Sequence, residues 1–260
     1  MHPLLFQLGP IAVPSYGVFA AFGVLAALFV SARLARAMGV DANRIWNLCV
    51  LMIFTALIGS RILLVMLNWS DFRRFPLWMV GLASMRAPWM LVGGGALALL
   101  VGLAYALMMN LPLLRTLDVL TPGLALGYAI SCIGSFWAGS SYGSPTTLPW
   151  GVAYRSRLAA LWSGTPLGVR LHPTQLYEAL LELLFFCALM LLWRKLRPGE
   201  LLGMWLFLLG LSSFFLAFVR GNPHPEIVNG GLLPGQAVAV LLVIAGGVFW
   251  WKHDRVEARV

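Results

Sequence analysis

The stretch SYGVFAAFGVLAALFVSARLAR, residues 15–36, carries no charged side chain before Arg33. A helix rises about 1.5 Å per residue, so about 20 such residues cross a hydrocarbon core about 30 Å thick. In lipid, every backbone N–H and C=O must find its partner within the segment, so the stretch reads as a membrane-spanning helix. The same pattern returns at about 46–67, 88–109, 119–138, 174–193, 201–219 and 233–251, cut each time by charged or proline-rich punctuation. The expected fold is an all-α integral membrane protein. About seven transmembrane helices form a single polytopic domain over residues 1–260, around a cavity that opens outward.

Composition points the same way. Of 260 residues, 60% are hydrophobic and 10% charged, and the mean hydropathy is +0.86. Soluble globular chains carry about 25% charged residues, so disordered, collagenous and soluble-enzyme classes fall away. The net charge of +9 belongs to no hydrophilic module, and no nucleic-acid partner is expected. In a polytopic protein, basic residues mark cytoplasmic loops or anionic headgroups instead. Cys49, Cys132 and Cys187 lie in apolar runs without a CxxC pair and read as small buried hydrophobes. His2, His172, His224 and His253 never pair at helical spacing. No catalytic metal and no cofactor are therefore expected.

The amino-terminal MHPLLFQLGPIAVPSYG has no basic region and is broken by Pro3, Pro10 and Pro14, unlike a cleavable signal. The first apolar stretch is expected to remain as a span. An odd number of spans puts the termini on opposite sides. Arg33, Arg36, Arg44, Arg115, Arg194, Lys195, Arg197, Lys252, Arg255 and Arg259 then share one side. Arg73, Arg74, Arg86, Arg155, Arg157, Arg170 and Arg220 share the other, three of them in the longest loop. Short loops weigh most in this bias, so the amino terminus is expected outside and the carboxyl terminus in the cytoplasm. The polar segment 139–171 would then be an external loop over the cavity mouth, where functional loops concentrate.

Ionisable groups inside spans are expensive and mark function. Arg61 in IGSRILL is flanked by apolar residues on both sides, suiting a fixed cation for an anionic lipid headgroup or a snorkelling side chain. LHPTQLYEALLEL, residues 171–183, places Pro173 in the first turn of a helix, with His172 or Thr174 as its cap. Gln175, Glu178 and Glu182 then share one stripe, expected to face the bundle interior. His172 at the rim suits proton acceptance near neutral pH, or simple capping. Gly93, Gly94 and Gly95 in VGGG remove side chains where a helix begins, for approach to a ligand or to another helix.

Taken in order, these pieces resemble the prolipoprotein diacylglyceryl transferase family over nearly the whole chain. LGPIAVPSYG is similar to the family's opening segment, IGSRILLVM to its arginine-bearing second helix, and GLALGYAISCIGSFWAGSSYG to the signature around helix four. LHPTQLYE is the most specific match, and LGMWLFLLGLSSFFLAFVR and GQAVAVLLVIAGG fit the last two helices. The resemblance implies a seven-helix enzyme of the bacterial plasma (inner) membrane. Such an enzyme moves diacylglyceryl from phosphatidylglycerol to the lipobox cysteine of a prolipoprotein and releases glycerol phosphate. It implies His172, Tyr177 and Glu178 as catalytic residues. It implies Tyr16, Arg61, Gly93, Gly94, Gln175 and Arg220 as contacts to phosphatidylglycerol or a similar anionic phospholipid. The chemistry asks for a base to make the thiolate and for cations to hold the phosphate.

The chain also departs from the family pattern. Val92 stands where the family has a histidine, Cys132 where it has the helix-four arginine, and Ser135 and Ala138 where asparagines follow. Ser140 replaces an acidic residue, and Ser213 and Ala217 replace an arginine and a glutamate of helix six. Two functions follow: a diacylglyceryl transferase, or a catalytically lapsed relative that binds phospholipid or lipidated peptide.

Overall fold

The computed structural model describes residues 2–8, 11–74, 88–221 and 234–257. Arg86, His224 and Arg259 lie outside them. The elements are β1 (Leu4–Leu8), β2 (Ile11–Pro14), α1 (Ser15–Ala37), α2 (Ala42–Leu67), α3 (Trp69–Arg74), α4 (Pro88–Met108) and α5 (Leu113–Ala138). Then come β3 (Val152–Ala153), α6 (Arg157–Ser163), β4 (Arg170–Leu171), α7 (Thr174–Leu192), α8 (Glu200–Leu216) and α9 (Pro234–Glu257). Each apolar stretch read from the sequence is a helix, displaced by a few residues at its ends. By length and composition, α1, α2, α5 and α7 can cross a membrane, while Val92–Met108, α8 and Gly235–Trp250 are shorter apolar helices. Strands are minor: β1 pairs β2 and β3 pairs β4, both antiparallel.

Beside its buried apolar core, the protein exposes large apolar side chains and buries polar ones inside its helices. Phe22, Phe29, Leu57, Leu99, Leu180 and Leu191 are exposed. Ser31, Ser60, Asp118, Thr121, Gln175 and Glu182 are buried. Lipid solvates large apolar side chains, so the polar groups turn inward toward partners.

The chain divides into two compact units, Met1–Ser31 with Leu117–Val260, and Ala32–Thr116. In the second unit, Asp41 caps α2 by accepting from the backbone N–H of Asn43 and Arg44. Arg44 donates to the Met109 carbonyl at 2.7 Å, tying the start of α2 to the end of α4. A Cβ at Gly94 would stand 2.5 Å from the Ala56 carbonyl oxygen, so only glycine lets α4 approach α2 this closely. The helix starts at Pro88, which puts the three glycines inside it rather than at its beginning.

In the first unit, Asp118 of α5 accepts from Gly199 N–H at 2.5 Å and Leu202 N–H at 3.0 Å. It thereby caps α8, whose own cap position is a glycine. Segment 139–171 is ordered around buried Tyr142, Tyr154 and Leu171.

Candidate functional site

The site is assembled where segment 139–171 meets the start of α7 and the end of α8. Residues 142–146 run extended between two neighbours. On one side Gly143 N–H donates to the His172 carbonyl at 2.9 Å and His172 N–H to the Ser144 carbonyl at 3.0 Å. On the other, Ser144 N–H donates to the Val219 carbonyl at 2.8 Å and Gly221 N–H to the Tyr142 carbonyl at 3.0 Å, with Gly143 pairing Arg220. A Cβ at Gly143 would meet His172 Cβ at 2.5 Å and the Val219 oxygen at 2.7 Å. Glycine is thus required for His172 and Arg220 to flank one strand. This pairing holds His172 in extended backbone, so α7 begins at Thr174 with Pro173 as its N-cap. Neither expected cap makes a side-chain capping bond. Thr174 instead donates its hydroxyl to the Ser141 carbonyl at 2.8 Å.

Two clusters occupy adjacent sectors of α7. In the inner one, the Arg220 guanidinium lies 2.5 Å from Glu178 Oε1, with side-chain exposures of 41% and 11%. The buried Cys132 thiol lies 3.7 Å from Glu178 Oε2. One turn further on, Glu182 accepts from the Trp205 indole N–H at 3.0 Å. In the outer cluster, Trp150 Nε1–H donates to the Tyr177 hydroxyl at 2.8 Å, and His172 Nδ1 stands 3.4 Å from that hydroxyl. Tyr177 and Glu178 are consecutive, and consecutive helical residues diverge by about 100°. Of the three residues that the resemblance implies as catalytic, His172 and Tyr177 therefore share one cluster and Glu178 stands in the other.

Gln175 is fully buried. Its amide donates to the Ser140 carbonyl at 2.5 Å and to Tyr154 Oη at 3.0 Å, pinning the loop to α7. Burial raises the Tyr154 phenol above its ordinary range, against a smaller opposing effect of the Gln175 hydrogen bond. A cavity of about 500 Å³ lies in the same unit, its wall including Gly23, Ala27, Tyr128, Trp205, Leu209 and Ser213. Trp205 joins it to Glu182.

Among the residues read from the sequence, His172, Gln175, Tyr177, Glu178 and Arg220 come together here. Tyr16 is exposed in the first turn of α1, outside both clusters. Arg61, half-buried on α2, and Gly93 and Gly94 on α4 belong to the other unit. Trp150, Tyr154 and Asp118 escaped the sequence reading. Asp118 alone carried a signal, as a carboxylate inside an apolar helix.

A model of the family described as prolipoprotein diacylglyceryl transferase matches residues 3–252. The chain belongs to the prolipoprotein diacylglyceryl transferase family. Relatives named phosphatidylglycerol–prolipoprotein diacylglyceryl transferase are similar over nearly their full lengths. The Clostridium tetani protein is 28% identical over 258 residues, covering 98% of each chain. The Finegoldia magna protein is 28% identical, covering 98% of this chain and 97% of its own. That of Prochlorococcus marinus strain NATL1A is 31% identical, covering 96% of this chain and 90% of its own. Within this diacylglyceryl transferase family member, the Cys132 thiol donates a hydrogen bond to Glu178 and Ser213 lines the cavity wall.

Proposed function

We propose that the chain is a multi-pass protein of the bacterial plasma membrane that transfers diacylglyceryl from phosphatidylglycerol to a prolipoprotein's lipobox cysteine. All seven apolar helices, the four long ones and the three shorter, cross the membrane in this reading, with the amino terminus outside and the carboxyl terminus in the cytoplasm. The observation that carries the proposal is Arg220: a half-exposed guanidinium, braced by a buried carboxylate, in the unit that also holds a largely apolar cavity. A phospholipid has those two parts, an anionic head and apolar tails. Arg220 takes the phosphate, and Tyr16 of the same unit adds a contact to the lipid. Gln175 supports the site by holding segment 139–171 against α7.

In the transfer, a bond forms between the cysteine sulfur and the glyceryl carbon, and that carbon's bond to the phosphate oxygen breaks. Glycerol phosphate leaves with the electron pair. The thiol proton passes to a base, for which Glu178 and His172 are the candidates, with Tyr177 beside His172.

A second reading is favoured by Cys132 and Ser213, which remove two cations at positions where the resemblance implies arginines. Such a protein binds phospholipid or lipidated peptide without transfer. Complementation of a strain depleted of its own diacylglyceryl transferase decides between them. Growth with thioether-modified lipoproteins supports transfer. Phosphatidylglycerol binding by the purified protein, with no modified lipobox peptide, supports the second reading instead.

A further inference from the structure

We infer that Trp150 is a positioning residue which, through Tyr177, fixes His172 in the tautomer that bares Nδ1 and presents Nε2–H to the substrate phosphate. The assignment follows from how one hydrogen bond polarises the next. An indole N–H only donates, so the Tyr177 oxygen accepts at 2.8 Å from Trp150. The phenol has one proton of its own. Among the described residues the remaining partner of its hydroxyl is His172 Nδ1 at 3.4 Å, edge-on with 65° between the rings. The oxygen's second lone pair would also suit an Nδ1–H. Accepting from the indole, however, strengthens the phenol O–H as a donor and weakens its oxygen as an acceptor, which favours a chain running from indole to phenol to imidazole and ending at Nδ1. A neutral imidazole that accepts at Nδ1 carries its proton on Nε2. That proton is a donor for an anionic oxygen.

Trp150 is held where this requires. Thr146 Oγ1 accepts from Leu148 N–H at 3.2 Å, and Gly151 N–H donates to the Leu148 carbonyl at 3.0 Å, closing a tight turn. The turn is anchored to the strand leading into α7, where Thr146 N–H donates to the Arg170 carbonyl at 2.9 Å and Val152 pairs Leu171. Resting on the transferase reading above, the inference makes His172 a second phosphate contact beside Arg220 and leaves Glu178 to take the thiol proton.

The test reads the tautomer and does not depend on transfer. Full-length protein labelled with ¹⁵N-histidine is measured in phospholipid nanodiscs near pH 9, where imidazole is neutral. The signal that His172→Gln removes is assigned to His172. Wild type is expected to show the proton on Nε2. Trp150→Phe frees the phenol oxygen to accept from Nδ1–H, and Tyr177→Phe removes the relay. Each is expected to move the tautomer ratio toward Nδ1–H by about fivefold, the factor of one net hydrogen bond of about 1 kcal/mol. A wild-type proton on Nδ1, or one ratio shared by all three proteins, overturns the inference. Trp150 as a mere interfacial anchor would leave the ratio unmoved. A correct tautomer in a protein that never transfers sinks the transferase reading alone.

Discussion

Glu178 and Arg220 show how much one pair of residues decides. The carboxylate is buried and the guanidinium half in solvent, so the pair falls between a surface bridge and a fully desolvated one. Arg220→Ala leaves a buried carboxylate without its cation, and is expected to lower stability by about 1–3 kcal/mol, read as a fall in thermal midpoint in detergent. It should also weaken phosphatidylglycerol binding by about ten- to a hundredfold in native mass spectrometry, the loss of one charged hydrogen bond. Arg220→Lys should restore the charge but only part of the binding, because an ammonium lacks the planar fork. At this scale HPTQLYE was legible, since glutamine and glutamate in an apolar helix must find partners. Their partners were not. Cys132 and Arg220 lie 46 and 42 residues away from Glu178, and no local pattern links them.

Among elements, the tight joins are the informative ones. Gly143 lies between two extended neighbours with no room for a methyl group on either side. Gly143→Ala is expected to part this small sheet and to loosen both His172 and Arg220. Limited proteolysis should then cut segment 139–171 faster while the helices stay intact by circular dichroism. Asp118 acts between helices, as a cap that α8 lacks in its own sequence. Asp118→Ala is expected to cost about 1–2 kcal/mol, the size of a lost N-cap, again read from the thermal midpoint. Helix positions could be read from hydropathy, because a span in lipid needs a long unbroken apolar run. Strands of two residues, such as β3 and β4, leave no period to read. The cap of α7 was misassigned because pairing with Ser144 holds His172 extended, a contact that sequence neighbours do not reveal.

At the scale of the molecule, many large apolar side chains are exposed while several polar ones inside the helices are buried, the arrangement that a lipid solvent selects. The proposed orientation predicts that green fluorescent protein fused to the carboxyl terminus fluoresces, while alkaline phosphatase at the same place stays inactive. The opposite pair of results would reverse the topology. The sequence by itself determined the apolar composition, the places of the apolar helices, and the family. Each follows from composition or from contiguous residues, because lipid forces every backbone hydrogen bond to close locally. Only the tertiary structure decided that Tyr177 and Glu178 serve different clusters, that Trp150 reaches Tyr177, and that Arg220 comes to Glu178 rather than to His172. Those contacts join residues far apart in the chain, and their geometry is set by which sides of packed helices and strands meet.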